Sequence, residues 1–174
     1  AVLVVKASDE NGDAISFSIV SGNTDVDGDG LPAFAIDAAS GALTVNDAGD
    51  IDFERVRAFT LGIKASDGVL FSTANATINV TNVNETPTGA LTISGVATQG
   101  QTLTASSSLS DPEGLGTISY QWLAGGQALS GATGSSLSLT QAHVGKQISV
   151  RASFVDGGGT AESVTSAATT AVQN

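Results

Sequence analysis

The chain has 174 residues but no cysteine and no methionine, and aromatic residues make up only 5% of it. Without cysteine it can form neither a disulfide framework nor a thiolate zinc site. Basic residues are also scarce, six against seventeen acids, and the net charge of −11 argues against nucleic acid or an anionic membrane surface as a partner. No apolar run approaches the length needed to cross a bilayer, so we expect no direct membrane insertion.

The residues that are abundant favour β-structure. Hydrophobic residues make up 41% of the chain, and most are Val, Ile, Leu and Ala, interspersed with Thr and Ser. Strand-like runs recur about every ten residues between Gly, Asn, Asp and Ser, six in each half, from residues 2–7 to residues 162–172. No stretch shows sustained helical periodicity. The sequence therefore predicts an all-β protein of two tandem antiparallel Greek-key β-sandwiches.

The boundary between the two sandwiches is predicted near residue 85. Pro87 cannot donate a hydrogen bond to a sheet and Gly89 relaxes the chain, which together mark a short linker. The stretch that follows Ser8-Asp9 also resembles the stretch that follows Ser110-Asp111, which indicates a tandem repeat with the same loop placement. We therefore predict domains at residues 1–85 and 86–174.

Acidic and amide residues cluster in the segments between the strand-like runs. Thirteen of the seventeen acids precede residue 86. Carboxylates grouped without Lys or Arg partners repel one another unless a cation neutralises them, and calcium takes about six to eight oxygen ligands. The sequence therefore predicts calcium sites. The candidate ligands are Asp9, Asn11, Asp25, Asp27, Asp29, Asp52, Glu54, Asp67, Asn82, Asn84, Glu85, Asp111, Glu113 and Asp156.

Most of these candidates are expected at the junction between the two domains. Antiparallel strands alternate in direction, so successive loops alternate between the two ends of a sandwich. This rule places one set of candidate ligands at the end of the first domain and a second set at the facing end of the second domain. We therefore predict one calcium cluster built from both domains. The alternative is a group of solvated acids at a linker. The first set is Asp52, Glu54, Asn82, Asn84 and Glu85, and the second is Asp111, Glu113 and Asp156.

A separate acidic loop resembles part of an EF-hand. The spacing Asp25-x-Asp27-x-Asp29-Gly30 matches the opening of the calcium loop, but Ile36 stands where the terminating Glu is needed. A calcium loop and a solvated polar turn both fit this spacing.

The first half resembles a cadherin-type domain of the bacterial kind. The resemblance spans nearly all of residues 1–85 and is carried by these segments: Ala7-Ser-Asp9, Phe34-Ala-Ile-Asp37, Ile51-Asp-Phe-Glu54, Ala65-Ser-Asp67-Gly68 and Asn82-Val-Asn84-Glu85. In cadherins the corresponding acids bind calcium between successive domains. The resemblance therefore implies junctional roles for Asp52, Glu54, Asn84 and Glu85.

Two departures from the cadherin pattern affect these implied roles. Asn82 and Glu85 stand where the family usually has Asp. The run at residues 2–7 is expected to be the second strand of the sandwich, and the strand that the family places before it is not expected within this sequence. We therefore expect a site at the N-terminal end, with Asp9, Asn11 and Asp67, that lacks the ligands of a preceding linker.

The second half resembles the immunoglobulin-like repeats of large secreted bacterial adhesins of the RTX type. Segments that carry the resemblance include Ile118-Ser-Tyr-Gln-Trp122 and Asp156-Gly-Gly-Gly-Thr160. In such adhesins these repeats act as extenders that hold a ligand-binding tip away from the cell. The resemblance implies a calcium-rigidified spacer of a bacterial cell-surface or secreted adhesin, with a role in cell adhesion or biofilm formation.

Neighbouring domains of the same longer chain are the expected partners of this extracellular spacer. The alternative function is a calcium-dependent module that binds a polysaccharide or another copy of the adhesin, although the scarcity of aromatic residues disfavours sugar binding. No Ser has a His and an acid at a suggestive spacing, and His143 is the one histidine. We therefore predict that the protein is not an enzyme.

Overall fold

The computed structural model describes residues 2–174, which form two compact units, unit 1 (residues 2–83) and unit 2 (Asn84–Asn174). Across the described residues there are thirteen β-strands and a one-turn 3₁₀ helix at Gln141–His143. All named strand pairs are antiparallel. The all-β prediction is confirmed. No helix in this part of the chain has the length and apolarity to cross a membrane.

Unit 1 consists of two three-stranded sheets. One sheet has the order β1–β4–β3 and the other has the order β2–β5–β6. The strands are β1 Leu3–Val4, β2 Ser16–Ser21, β3 Phe34–Ile36, β4 Ala42–Val45, β5 Ala58–Ser66 and β6 Phe71–Asn79. The predicted run at residues 2–7 forms a strand only at its centre, where Leu3 and Val4 pair with Leu43 and Ala42.

The core of unit 1 lies between its two sheets. Alternate residues of β5 point inward, and Phe59, Leu61 and Ile63 are buried. Phe59 meets Phe34 of the other sheet edge to face, with the ring centroids 5.0 Å apart. This contact joins the two sheets through an aromatic pair, an arrangement that stabilises a core beyond the area it buries.

A glycine ends β2 because the backbone of β5 lies close to it. The register of β2 against β5 shifts between Ile19 and Ser21, which marks a β-bulge. Gly22 follows with φ +75°, and a Cβ atom there would collide with the carbonyl oxygen of Thr60. Only glycine fits this position, and the turn leads the chain into the loop of residues 22–33.

Unit 2 consists of a three-stranded sheet, β11–β8–β7, and a four-stranded sheet, β10–β9–β12–β13. Two isolated parallel bridges, between Val144 and Val172 and between Thr98 and Gln173, connect the end of the chain to this unit. The strands are β7 Leu91–Ser94, β8 Thr102–Ser107, β9 Ser119–Ala124, β10 Gln127–Ala128, β11 Ser136–Ser138, β12 Ile148–Val155 and β13 Ala161–Thr165. The two antiparallel sheets are consistent with a β-sandwich.

The prediction of a continuous strand at residues 162–172 is wrong beyond Thr165. The hydroxyl groups of Ser166 and Thr169 accept hydrogen bonds from the N–H groups of Val150 and Ile148, both at 3.1 Å. Side chains therefore replace part of the ladder alongside β12. A period-two pattern cannot distinguish such a segment from a strand, because the polar residues alternate in the same way.

The core of unit 2 surrounds Trp122, whose side chain is fully buried. Its indole Nε1 donates a hydrogen bond of 2.9 Å to the carbonyl oxygen of Gly134. Trp122 belongs to β9, and residues of the neighbouring β12, Ile148 and Val150, are also fully buried. The ring thus fills the centre of a separate hydrophobic core that shares no residue with the core of unit 1.

Candidate metal centre

Three segments of unit 2 meet at one end of its sandwich: the entry segment 84–88, the β8–β9 loop and the β12–β13 turn. Thr88 and Ser110 form a bridge, with hydrogen bonds in both directions. In the four-stranded sheet, Ser119 at the start of β9 lies opposite Ser153 near the end of β12. Antiparallel pairing therefore brings the loop that contains Asp111 to the turn that begins with Asp156.

Asp111 and Asp156 are almost completely buried, with 8% and 6% of their surfaces exposed. One oxygen of each is held by the backbone: Asp111 Oδ1 accepts from the N–H of Glu113 at 3.1 Å, and Asp156 Oδ1 accepts from the N–H of Thr160 at 2.7 Å. The other oxygen of each, Oδ2, is buried and has no hydrogen-bond partner among residues 2–174. Two buried carboxylates are therefore only half satisfied, which is costly without a compensating group.

Glu113 and Glu162 add two more carboxylates in the same state. Glu113 Oε1 accepts from the backbone N–H of Glu85 at 3.0 Å, and Glu162 Oε1 accepts from the side-chain amide of Asn84 at 2.9 Å. Their Oε2 atoms are buried without a hydrogen-bond partner in the described chain. One oxygen each of Asp111, Glu113 and Asp156 lies within 4.8 Å of the others. We call these four carboxylates, Asp111, Glu113, Asp156 and Glu162, the unit 2 cluster.

The backbone at the unit 2 cluster leaves no room for a side chain at residue 157. A Cβ atom on Gly157 would collide with the carbonyl oxygen of Glu113, and the Gly157 N–H donates to the carbonyl oxygen of Gly114 at 3.0 Å. The glycine therefore allows the β12–β13 turn to lie directly against the β8–β9 loop. This contact brings the carboxylates of the two segments together.

Burial and neighbouring carboxyl groups change the acidity of the cluster. Burial, together with the proximity of Glu113 and Glu162, raises the pKa of Asp111 to about 6. Burial also acts to raise the pKa of Glu113, but hydrogen bonds from the backbone N–H groups of Glu85 and Glu113 outweigh it and lower that pKa. A proton on Asp111 would relieve the repulsion below pH 6, whereas at neutral pH only a cation can do so.

The donor set fits a hard cation. The cluster offers only carboxylate oxygens, and calcium binds such oxygens at 2.3–2.6 Å in a flexible arrangement. Two oxygens on opposite sides of one calcium ion are therefore about 5 Å apart at most, and the oxygens of Asp111, Glu113 and Asp156 lie within 4.8 Å of one another. With calcium bound, Asp111, Glu113, Asp156 and Glu162 are the residues that would hold it, and the ion would supply the positive charge that their buried oxygens lack.

In the absence of calcium, the unit 2 cluster is expected to make stability depend on pH. The pKa of Asp111 in the folded state, about 6, exceeds its ordinary value of 3.8. Its contribution to stability is therefore fully present below about pH 3.8 and is lost as the pH rises through about 6. The charged groups that face Asp111 are Glu113 from its own loop, Asp156 from the β12–β13 turn and Glu162 from β13. Glu85 of the entry segment lies next to Glu113.

We expect the thermal unfolding midpoint of unit 2 in calcium-free buffer, followed by Trp122 fluorescence, to decrease as the pH is raised from 5 to 7.5. The Asp111→Asn variant is the control, because an amide does not titrate and its midpoint should fall less over this range. A wild-type midpoint that is flat or rises over the same range would contradict the assignment.

The acids of the EF-hand-like spacing lie on an exposed loop of unit 1. Asp25, Asp27 and Asp29 each offer an oxygen within 4.8 Å of the others. Both oxygens of Asp25 accept backbone hydrogen bonds, from Gly28 at 2.6 Å and from Gly30 at 2.8 Å, and these bonds lower its pKa. Asp25 therefore fixes the shape of the loop. Asp37, which follows Ile36, accepts hydrogen bonds from the backbone N–H and the hydroxyl group of Ser40 in the β3–β4 turn.

Asp27 lies in a more negative environment. The backbone N–H of Asp29 acts to lower its pKa, but burial and the charges of Asp29, Asp47 and Asp50 together outweigh this bond and raise the pKa. All three neighbouring charges are negative. Asp27 is thus the member of this loop that has the strongest reason to bind a cation.

The remaining predicted ligands of unit 1 lie in two places. Asp9 and Asp67 line one shallow pocket beside Phe71, and each accepts two backbone hydrogen bonds, those to Asp67 lowering its pKa. Asn11 is exposed next to Asp9. Asp52 Oδ1 accepts from the N–H groups of Glu54 and Arg55, while the side chains of Glu54 and Asn82 are exposed.

In unit 2, Asn84 presents its amide nitrogen, which is a donor, to Glu162.

Sequence reasoning missed three acids that the fold places among the candidates: Glu162, Asp47 and Asp50. Glu162 lies on β13 and reaches the cluster through strand pairing with β12, where it stands opposite Phe154. Asp47 and Asp50 follow β4, and only the fold shows that they meet the loop of residues 22–33. The sequence signal was the spacing Asp47-x-x-Asp50 immediately after a strand.

The topology and the unit 2 cluster together define a protein of tandem antiparallel β-sandwiches with buried, half-satisfied carboxylates at a loop end. No family model matches the chain. Among solved structures, the crystal structure of human protocadherin-24 EC1-2 in form II is similar, with a TM-score of 0.52 and 17% identity, and the match covers 96% of this chain and 84% of that chain. At this identity the likeness concerns the fold, and the chain has a cadherin-like fold.

Two further cadherin structures are similar at lower scores. Another crystal structure of human protocadherin-24 EC1-2 matches with a TM-score of 0.47 and 16% identity over 96% of this chain and 83% of that chain. Extracellular cadherin domains 1–4 of protocadherin gamma B7 match with a TM-score of 0.45 and 15% identity over 87% of this chain and 39% of that chain.

Proposed function

We propose that the chain is a calcium-stabilised structural module of an extracellular adhesion protein. The observation that carries this proposal is the pair Asp111 and Asp156, almost fully buried, each with an Oδ2 atom that lacks a hydrogen-bond partner within residues 2–174. Buried carboxylates are retained where they are paired or coordinate a metal. Extracellular modules bind calcium with dissociation constants of about 10⁻⁴–10⁻³ M, a range suited to a structural ion.

The residues around the cluster show what such an ion would stabilise. Glu113 holds the entry segment through the N–H of Glu85, and Glu162 holds it through the side chain of Asn84. Asp156 belongs to the β12–β13 turn and Asp111 to the β8–β9 loop. Neutralising the four carboxylates therefore fixes three loops at one end of unit 2, including the path by which the chain enters the sandwich. The role is mechanical and needs no catalytic group.

The finer proposal is a spacer of a bacterial cell-surface or secreted adhesin, whose partners are neighbouring domains of the same longer chain. It is supported by the cadherin-like fold and by the sequence resemblance of unit 2 to immunoglobulin-like extender repeats. The role of Asp52, Glu54 and Asn82 as further ligands of the same ion stays a prediction.

Calorimetric titration of the full chain with calcium at pH 7.4 tests the metal site. We expect saturable binding that the Asp156→Asn variant weakens at least about tenfold, because it removes one buried negative charge while its amide oxygen can still accept from Thr160. The Asp13→Asn variant is the matched control, since Asp13 is an exposed acid of unit 1 and should leave binding unchanged. Equal affinities in wild type and Asp156→Asn would contradict the site.

Small-angle scattering with and without a chelator tests the spacer role separately. If calcium stiffens the chain, the maximum dimension of the full chain in calcium should exceed that in chelator. An unchanged maximum dimension, with calcium binding intact in the titration, would leave a metal site but remove its proposed role as a stiffening element.

A further inference from the structure

Two segments of unit 1 come together next to its buried core. The loop of residues 22–33 ends at Ala33, whose carbonyl oxygen accepts hydrogen bonds from the N–H groups of Asn46 and Asp47 at 2.8 and 3.3 Å. The chain then turns, with the N–H of Ile51 donating to Ala48 at 3.1 Å. The segment after β4 is therefore fixed against the acidic loop by backbone contacts, independently of any ion.

Asp50 lies at the centre of this contact and is the most deeply buried charged residue among those described, with 0% of its surface exposed. Its Oδ1 accepts hydrogen bonds from the N–H groups of Val26, at 2.5 Å, and Asp27, at 3.0 Å. Its Oδ2 is buried and has no hydrogen-bond partner in residues 2–174. A fully buried carboxylate with one empty oxygen needs a compensating positive charge or a proton.

Two further carboxylates surround the same point. One oxygen each of Asp27, Asp47 and Asp50 lies within 4.8 Å of the others. Asp47 Oδ1 accepts from the N–H of Gly49 at 2.9 Å, and its Oδ2 is a second buried oxygen without a hydrogen-bond partner in the described residues. Three acids from two separate segments thus lie close together. Two of them, Asp47 and Asp50, each have a buried oxygen without a hydrogen-bond partner among the described residues.

Gly49 makes this convergence sterically feasible. A Cβ atom on Gly49 would collide with Asp27 Oδ2 and would lie 3.4 Å from Asp47 Oδ1. The backbone of Gly49 has an ordinary φ, so its conformation does not require glycine. The absence of a side chain at this position therefore gives the carboxylate of Asp27 the space that it occupies.

We propose that Asp27, Asp47 and Asp50 form a calcium site within unit 1 that fastens the loop of residues 22–33 to the segment after β4. The ligands are oxygens alone, since the chain has no Cys and its one His is in unit 2. Hard, oxygen-only ligand sets favour calcium or magnesium over softer metals, and calcium accepts the irregular geometry of a loop. This site is separate from the unit 2 cluster and does not depend on it.

The site differs from the EF-hand-like spacing in its ligands. Of Asp25, Asp27 and Asp29, it uses only Asp27, and it replaces the other two with acids about twenty residues further along the chain. The ion would therefore cross-link two segments, and the order of the acidic loop would depend on calcium.

Hydrogen exchange and calorimetry on the full chain test the proposal with calcium alone as the probe. The Asp111→Asn background, which is designed to weaken the unit 2 cluster, isolates the proposed site. We expect this background to retain one calcium-binding event, and amides of residues 22–33 to exchange at least about tenfold more slowly in calcium. If the unit 2 cluster does not bind calcium, introducing Asp111→Asn into the wild type should leave calcium binding unaltered. This result differs from a failure of the unit 1 site, so the two can be distinguished.

Two substitutions in this background test the ligands. Asp50→Asn keeps an oxygen for the N–H groups of Val26 and Asp27 but removes the charge, and Gly49→Ala displaces the Asp27 carboxylate without altering any charge. Each should weaken calcium binding at least about tenfold and abolish the calcium-dependent protection of the loop. Gly49→Ala keeps the test decisive if Asp50→Asn does not fold.

The matched controls are Asp13→Asn and Gly134→Ala. Asp13 is exposed, and a Cβ atom on Gly134 would approach no atom closer than 3.7 Å, so both variants should behave like the background. Loop exchange that does not respond to millimolar calcium, or a folded Gly49→Ala variant that binds calcium as the background does, would overturn the proposal. Equal protection by magnesium at the same concentration would overturn the assignment to calcium.

Discussion

In calcium-free buffer at pH 7.5, unit 2 of the Asp111→Asn variant is expected to unfold at a higher temperature than that of the wild type, and in millimolar calcium at a lower one. Without calcium, the amide removes a buried negative charge from beside Glu113 and Glu162 and can donate hydrogen bonds to their oxygens. With calcium, the same substitution removes a ligand. The two effects have opposite signs. The variant should therefore have the higher unfolding temperature without calcium and the wild type the higher one with calcium.

The calcium effect is expected to be the larger of the two. In about 10 mM calcium, which is about one hundred times a dissociation constant of about 10⁻⁴ M, an ion that binds only the folded state stabilises it by about 2.7 kcal/mol. For a domain of this size, that corresponds to a rise in the midpoint of roughly 10–20 °C. Trp122 fluorescence reports on unit 2 because the chain has no other tryptophan. Asp13→Asn should follow the wild type, and a variant that stays below the wild type in both buffers would refute this account of the cluster.

Trp122→Ala is expected to destabilise unit 2 by about 3–5 kcal/mol and to leave unit 1 folded. The ring is fully buried and its Nε1 atom bonds to Gly134, so truncation creates a cavity and leaves a carbonyl oxygen unsatisfied. The loss is a large part of the stability of a typical domain, about 5–15 kcal/mol. Hydrogen exchange resolved by peptide should show lost protection in β9 and β12 and retained protection in β5.

Phe34→Ala is the reciprocal test, because Phe34 and Phe59 form the aromatic pair at the centre of unit 1. It should expose β5 and leave β12 protected. Trp122→Phe keeps most of the ring volume and should cost less than Trp122→Ala. If either alanine substitution removed protection from both units together, the two cores would not be independent.

Particular residues show which parts of the fold can be predicted from the sequence. Alternation along Phe59, Leu61 and Ile63 and the isolated glycines between strands were sufficient to predict an all-β chain. The acidic loops favour a hard cation, because carboxylates without nearby basic residues repel one another, and the assignment to calcium stays a prediction. The two-residue strand β10 and the polar replacement of the ladder beyond Thr165 were not predictable, since both depend on what a neighbouring strand offers.

The candidate sites divide in the same way. Asp111, Glu113 and Asp156 could be selected from the sequence because each stands in a loop next to a strand. Glu162 could not be selected, because an acid on a strand is usually solvent-exposed and only pairing with β12 brings it to the cluster.

The amino-acid sequence by itself determined the fold class, the lack of disulfides and the surplus of carboxylates, because period, composition and charge are properties of the chain. Only the tertiary structure decided which carboxylates lose contact with water. Burial and strand pairing act between residues that are distant in sequence, as Asp27 and Asp50 and as Asp111 and Asp156 are, and it is burial that turns an ordinary acid into one that needs a cation.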